Sequence, residues 1–179
     1  MTYQIVSLDG AKLTFNVTNN GKMWDSQIKI NNPEGQNVMG SRTYAKSKTL
    51  EVDAGTYNVT FIARDVNGLA SSHTLENVSV GSGEITEISH DFKTAEVNLG
   101  ATHEGKIFDV LIRIKDFTTG KDIAGIRTYT EETRKLILNP GKYTVSMTEV
   151  GVYNSSAKGA EFNIEVNEGE TLTTIKEVK

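Results

Sequence analysis

Gly55-Thr56-Tyr57-Asn58-Val59 opens a stretch in which Tyr57, Val59 and Phe61 fall on alternate positions. Gly141-Lys142-Tyr143-Thr144-Val145 opens another with Tyr143, Val145 and Met147 in the same places. A period of two marks a strand with one face buried, so both stretches are read as strands turned toward a core. Their likeness extends outward in both directions. Gly21-Lys22-Met23-Trp24-Asp25 returns as Gly105-Lys106-Ile107-Phe108-Asp109, and Ile28-Lys29-Ile30 as Ile112-Arg113-Ile114. Gly40-Ser41-Arg42-Thr43-Tyr44 returns as Gly125-Ile126-Arg127-Thr128-Tyr129, and Gly83-Glu84 as Gly169-Glu170. Five blocks in one order, at an offset that drifts from 84 to 86 residues, identify a duplication whose small insertions fall between blocks.

Within each copy the period of two recurs. Trp24, Ser26, Ile28 and Ile30 share a face in the first; Phe108, Val110, Ile112 and Ile114 share the matching face in the second, and these faces are expected to meet those of the Tyr57 and Tyr143 strands in the core. Strands are predicted over Lys12–Thr18, Trp24–Ile30, Asn37–Thr43, Lys48–Val52, Thr56–Ala63, His73–Val80 and Glu84–Phe92. Turn signals such as Asn19-Asn20-Gly21, Pro33-Glu34-Gly35 and Gly81-Ser82-Gly83 separate them. Seven short strands with such punctuation predict a sandwich, so the fold class is all-β, with two tandem seven-stranded antiparallel sandwiches. The domains are placed at 10–93 and 94–179. Extending the repeat backwards lays Thr2–Leu8 on Thr86–Phe92, which leaves two readings for residues 1–9: the tail of a preceding domain, the chain then being cut from a longer protein, or an extra strand on the first sandwich. The junction His90-Asp91-Phe92-Lys93-Thr94-Ala95-Glu96 has neither glycine nor proline, which predicts a stiff connection.

The blocks Gly55–Val59 with Val78–Glu84, and Gly141–Val145 with Ile164–Glu170, resemble the prealbumin-like or carboxypeptidase-regulatory-like (Ig-like) sandwiches. Over nearly the whole chain the pattern is similar to the tandem sandwiches that accompany von Willebrand factor A domains in prokaryotic surface proteins. The resemblance implies a non-catalytic spacer or adhesion-type module at the cell surface or outside the cell, within a larger protein. Its motifs are those of core and turn, and fold alone does not carry function. The Asp-x-Ser-x-Ser metal site of the von Willebrand domain is absent from this chain. A related adhesin family crosslinks a first-strand lysine to a last-strand asparagine beside a buried acid. Lys12 and Glu51 are available, but residues 84–92 contain no asparagine and the second copy has Ile137 at the acid's place.

Composition narrows the chemistry. The chain of 179 residues has no cysteine, which removes disulfides, thiolate metal sites and thiol nucleophiles. Its net charge of −4 divides evenly, with 8 basic and 10 acidic residues up to Lys93 and 11 and 13 beyond it. No basic cluster offers itself to phosphates, so neither nucleic acid nor direct membrane insertion is expected. Met1-Thr2-Tyr3-Gln4-Ile5 has neither a basic start nor a long apolar run. No Gly-x-Ser-x-Gly elbow or phosphate loop occurs, so no catalytic residues are assigned and an enzyme is not expected.

The three histidines, His73, His90 and His103, stand far apart and do not recur between copies, and they read as surface residues. No cofactor is expected. Structural calcium is the one metal the sequence leaves room for, because Asp25, Asp53, Asp65 and Asp91 fall at strand ends, although no Asp-x-Asp-x-Asp loop exists. Trp24 reads as a core residue and not as a sugar-stacking platform, since Ile28 and Ile30 share its face and Phe108 takes its place in the other copy. The repeated Arg42-Thr43-Tyr44 and Arg127-Thr128-Tyr129 are the best candidates for an interface, since arginine and tyrosine anchor protein contacts; the alternative is a cross-strand pair on a solvated face. Asp65, Asn67, Tyr153 and Asn154 complete the candidate list, because the copies differ most at Arg64–Ser72 and Val150–Lys158. The expected partner is a protein or a neighbouring domain of the same polypeptide, with a glycan as the alternative, in which case the chain is a carbohydrate-binding module; a self-assembling shell, filament or virion subunit is the third possibility.

Overall fold

The computed structural model describes residues 10–152 and 157–179. The expectation for residues 1–9 lies outside them. All regular structure among the described residues is β. The strands divide into two compact units, one holding residues up to Arg64 with Ser72–Phe92, the other Asp65–Ser71 with Lys93–Lys179.

In the first unit β1 (Ala11–Asn19), β2 (Lys22–Met23), β3 (Ser26–Asn31), β4 (Asn37–Arg42), β5 (Lys48–Val52) and β6 (Gly55–Ala63) run in order. β7 (Val66–Asn67) belongs to the second unit, and β8 (Ser72–Val80) and β9 (Ile85–Phe92) complete the first. One sheet has the order β4-β3-β6-β8. In the other, β1 is central, with β2 and β5 antiparallel to it and β9 parallel. The inward faces are the ones that the period of two selects. Leu13, Phe15 and Val17 of β1, Ile28 and Ile30 of β3, and Val59 and Phe61 of β6 are all fully buried. Each such side chain contributes about 1.5–3 kcal/mol by leaving water.

The second unit is built from β10 (Ala95–His103), β11 (Lys106–Ile107), β12 (Val110–Asp116), β13 (Asp122–Arg127), β14 (Arg134–Leu138), β15 (Gly141–Glu149), β16 (Gly159–Val166) and β17 (Thr171–Glu177). Its registers reproduce those of the first. Leu13↔Leu50 becomes Val97↔Leu136, Ile28↔Phe61 becomes Ile112↔Met147, and Gln27↔Arg42 becomes Leu111↔Arg127. Even the irregularity at Ile30/Asn31 recurs at Ile114/Lys115.

Two features of how the strands are arranged within each unit differ from the sequence expectation. The sheets are mixed and not purely antiparallel, because β1 pairs β9, and β10 pairs β17, in parallel. Hydrophobic alternation fixes which face of a strand is buried but carries no signal for its neighbour's direction. The faces of β3 and β6 also do not meet across the core; they lie side by side in one sheet, against β1 and β9 of the other.

The repeated Gly-x-Tyr-x-Val block has a structural cause. The Tyr57 hydroxyl donates to the Asp53 carbonyl at 2.7 Å and that of Tyr143 to the Asn139 carbonyl at 2.6 Å, each reaching back four residues. Burial raises the pKa of both phenols, that of Tyr143 to about 12, so each stays a neutral donor.

Residues 65–71, which the repeat assigns to the first copy, form part of the second unit's five-stranded sheet. Val66 and Asn67 pair in parallel with Ile137 and Leu138. The buried Asn139 holds them: its backbone N–H donates to the Asn67 carbonyl at 3.0 Å, its Oδ1 accepts from the Ala70 N–H at 3.1 Å, and its Nδ2 donates to the Lys93 carbonyl at 3.1 Å. Gly68, at φ +134°, leaves the room this needs, since a Cβ there would lie 2.4 Å from Asn139 Oδ1.

Candidate functional site

The Arg-Thr-Tyr blocks form two equivalent clamps, each at the end of a four-stranded sheet, and the three residues do three different things. In the first unit Arg42, the last residue of β4, lies across the hairpin from Asp25, just before β3. Its Nε donates to both carboxylate oxygens of Asp25 at 2.9 and 2.8 Å, and its Nη2 also bonds Oδ2. The buried Thr43 accepts the Ser26 N–H on Oγ1 at 2.8 Å and donates to the Trp24 carbonyl at 2.8 Å. Tyr44 turns into the left-handed region at φ +51°, gives its N–H to Asp25 at 3.0 Å, and lays its ring under the guanidinium, 4.7 Å from centroid to carbon. The second unit repeats this. Arg127 Nε bonds Asp109 at 3.2 and 3.0 Å and Nη2 at 2.6 Å. Thr128 Oγ1 accepts the Val110 N–H at 2.9 Å, and Tyr129, at φ +54°, lies 4.8 Å below the guanidinium. The tyrosines are the outward parts, 67% and 54% exposed.

The acids of these clamps escaped the sequence reading, although the signal was present. Asp25 and Asp109 recur with the arginines, and a hairpin turning at Pro33-Glu34-Gly35 pairs Gln27 with Arg42 and so brings Asp25, two residues before, within reach of the Arg42 side chain. Arg42 and Arg127, through the hydrogen bonds they donate, hold the Asp25 and Asp109 carboxyls below the usual carboxylate range, against the opposing effect of burial. A carboxylate whose pKa is depressed by folding adds stability above about pH 4 that is lost as pH falls through the folded-state value. Asp25→Asn is therefore expected to cost about 1 kcal/mol at neutral pH, the scale of an exposed bidentate pair, and to flatten part of the acid limb of a urea-midpoint profile followed on Trp24 fluorescence.

Beside each clamp the outer sheet face is hollowed. The first hollow, ≈ 510 Å³, is bordered by Arg42, Tyr44, Lys48 and Arg64; the second, ≈ 330 Å³, by Leu111, Arg127, Glu149, Val150 and Val152. Lys48 and Arg64 make the first cationic, whereas in the second Glu149 stands with Arg113 and Arg127, and Leu111, Val150 and Val152 add an apolar part.

Of the other candidates, Asp65, at φ +59°, lies in the turn before β7, and Asn67, whose Nδ2 donates to the Ile137 carbonyl at 3.3 Å, lies on β7; both belong to the second unit. Tyr153 and Asn154 lie outside the described residues. Trp24 is half-buried and not in the deepest core, with Nε1 donating to the Arg64 carbonyl at 3.0 Å. Among the described residues no three or more histidine or acidic side chains converge as a metal site. The Asp91 carboxylate accepts from Thr18 Oγ1 at 2.7 Å and the Gly21 N–H at 2.9 Å. Lys12 and Glu51 form a surface ion pair at 3.7 Å. Among the described residues no helix is long and apolar enough to cross a membrane.

No family model matches the chain, and no curated protein matches it. Solved structures do. The chain is similar to the Bacillus anthracis TIE protein at 20% identity over 94% of its own length, with a TM-score of 0.42, and spans only about a third (34%) of that protein. It is similar to GBS52, the minor pilin of Streptococcus agalactiae, at 12% identity over 94% of this chain and 95% of that one, with a TM-score of 0.43. A putative adhesin from Bacteroides ovatus aligns at 8% identity over 98% and 97%, with a TM-score of 0.42.

Proposed function

We propose that this chain is a non-catalytic spacer or adhesion-type module of a larger surface protein, built to stay folded under tension and to present its outer sheet faces to a protein partner or a neighbouring domain. The observation that carries this reading is the parallel pairing of the first and last strands of each unit. β1 and β9 are in register from Lys12↔Ile85 to Asn19↔Phe92, and β10 and β17 from Glu96↔Thr171 to Thr102↔Glu177. Pulling the start of β1 away from the end of β9 slides the two strands past each other. All the ladder hydrogen bonds of that pair are then loaded together, whereas an antiparallel terminal pair pulled apart at one end breaks them one after another. The connector between β9 and β10 is two residues, Lys93 and Thr94, and both carbonyls are held, by Asn139 Nδ2 and by the Gly169 N–H at 2.9 Å.

Stretching single molecules by their ends tests this. Two discrete unfolding events are expected, each lengthening the chain by about 25 nm, from ~0.35 nm per extended residue. Featureless extension at low force would count against the proposal.

A further inference from the structure

We infer that the first unit carries an acid-sensitive seam that the second unit lacks: His73 of β8 and His90 of β9 stack across the open side of the sandwich, and protonating them drives these two edge strands apart. The rings are parallel within 6°, with centroids 4.1 Å apart. Among the described residues β8 is the edge of one sheet and β9 of the other, and no backbone ladder joins them. What closes this flank is an aromatic stack that continues through Phe61, 5.9 Å from His90, and Phe92, edge-on at 4.4 Å. Neutral imidazoles stack there face to face, each half-buried; two imidazolium ions at that separation repel each other, and the burial of the rings adds to the cost of charging them.

The surroundings offer little compensation. Phe61 of β6 and Phe15 and Val17 of β1 carry no charge. On β9, Asp91 follows His90, but its carboxylate is already engaged with Thr18 and Gly21. Glu87 of β9 and Glu76 of β8 stand on outward positions, and Lys48 lies on β5, on the opposite flank of β1. Burial, and then the charge of His73, lower the His90 pKa, with Asp91 opposing them. A histidine whose pKa is depressed by folding binds its proton more tightly in the unfolded chain. The stability it lends is complete above about pH 6.5 and is lost as pH falls from there through the folded-state value. The clamp carboxylates lose theirs only below about pH 4, so the two windows are separate.

The duplication supplies the control. The positions of His73 and His90 are taken in the second unit by Ala160, opposite Met147 as His73 is opposite Phe61, and by Lys176, opposite Ala101 as His90 is opposite Val17. There the lysine lies over the Phe162 ring at 4.7 Å, an arrangement that needs the charge.

Trp24 is the only tryptophan and belongs to the first unit, so its fluorescence reports that unit alone. In the full chain, the urea midpoint followed on Trp24 is expected to fall between about pH 7.5 and 5, with a roughly tenfold loss in the folding equilibrium. His73→Phe/His90→Phe should abolish the fall, and so should His73→Ala/His90→Lys, which copies the second unit's seam. A midpoint constant over this range in the wild-type chain, or an undiminished fall in the variants, would overturn the inference. Should neither variant fold, the His90 ring-proton titration by NMR in the wild-type chain decides: proton uptake below the value of free histidine supports the seam, and uptake at or above it overturns it.

Discussion

Gly100→Ala is expected to destabilise the second unit by about 3 kcal/mol and leave the Trp24-reported transition of the first unit unchanged. A Cβ at this position of β10 would lie 1.9 Å from the carbonyl oxygen of Glu132, a backbone atom that cannot rotate away, so strand or loop must shift. The cause is visible in the repeat. Tyr44 and Lys48 are separated by three residues, but their counterparts Tyr129 and Arg134 by four. The longer loop brings Glu132 over β10, and the residue beneath it is Gly100 where the first copy has Asn16. The converse change, Asn16→Gly in the first unit, removes a side chain without relieving any such contact and should cost only the ~1 kcal/mol or less of glycine in a strand. Two transitions in a urea melt, one followed on Trp24 and the other on amide signals of residues 95–149, separate these outcomes. An unchanged second transition in Gly100→Ala would mean that the loop is free to move aside.

Thr43→Val and Thr128→Val are each expected to cost their own unit about 1–3 kcal/mol, more than removing the visible charge pair beside them. Valine keeps the shape but leaves the Ser26 N–H, or the Val110 N–H, buried without an acceptor. Thr43→Ser retains the hydroxyl and should recover most of the loss in a thermal or urea melt. Tyr44→Ala, by contrast, removes an exposed ring and keeps a Cβ at the same positive φ, so a stability change above 1 kcal/mol there would show that the cation–π stack matters more than its exposure suggests. The blocks that look most like an interface in the sequence are thus also the means by which β4 and β13 are tied to the strand before them.

The fold was largely legible because alternation and turn chemistry agree along the chain. Lys48–Val52 is found as predicted, and Asn37–Thr43 is found one residue shorter. What could not be read was any relation between strands that the chain does not make adjacent. Nothing in β1 or β9 announces a parallel pair, and Val66-Asn67-Gly68, a turn by composition, is a strand only because Asn139 and β14 receive it. The His73–His90 stack was hidden for the same reason. Its members are seventeen positions apart on strands of different sheets, and the contact between sheets has no register that a sequence can carry. The clamp acids lay within reach, since hairpin partners follow from the turn between them.

The direction of the parallel terminal pair is what the proposed function rests on, and pulling direction tests it most directly. The chain has no cysteine, so engineered thiols are unique handles. Attachment at the chain ends loads β1 against β9 in shear. Attachment through Gly10→Cys and Ser82→Cys, both at the start of this pair, peels the same hydrogen bonds one at a time. The account predicts that the first unit withstands a several-fold higher force in the first geometry than in the second. Equal forces in both would contradict it.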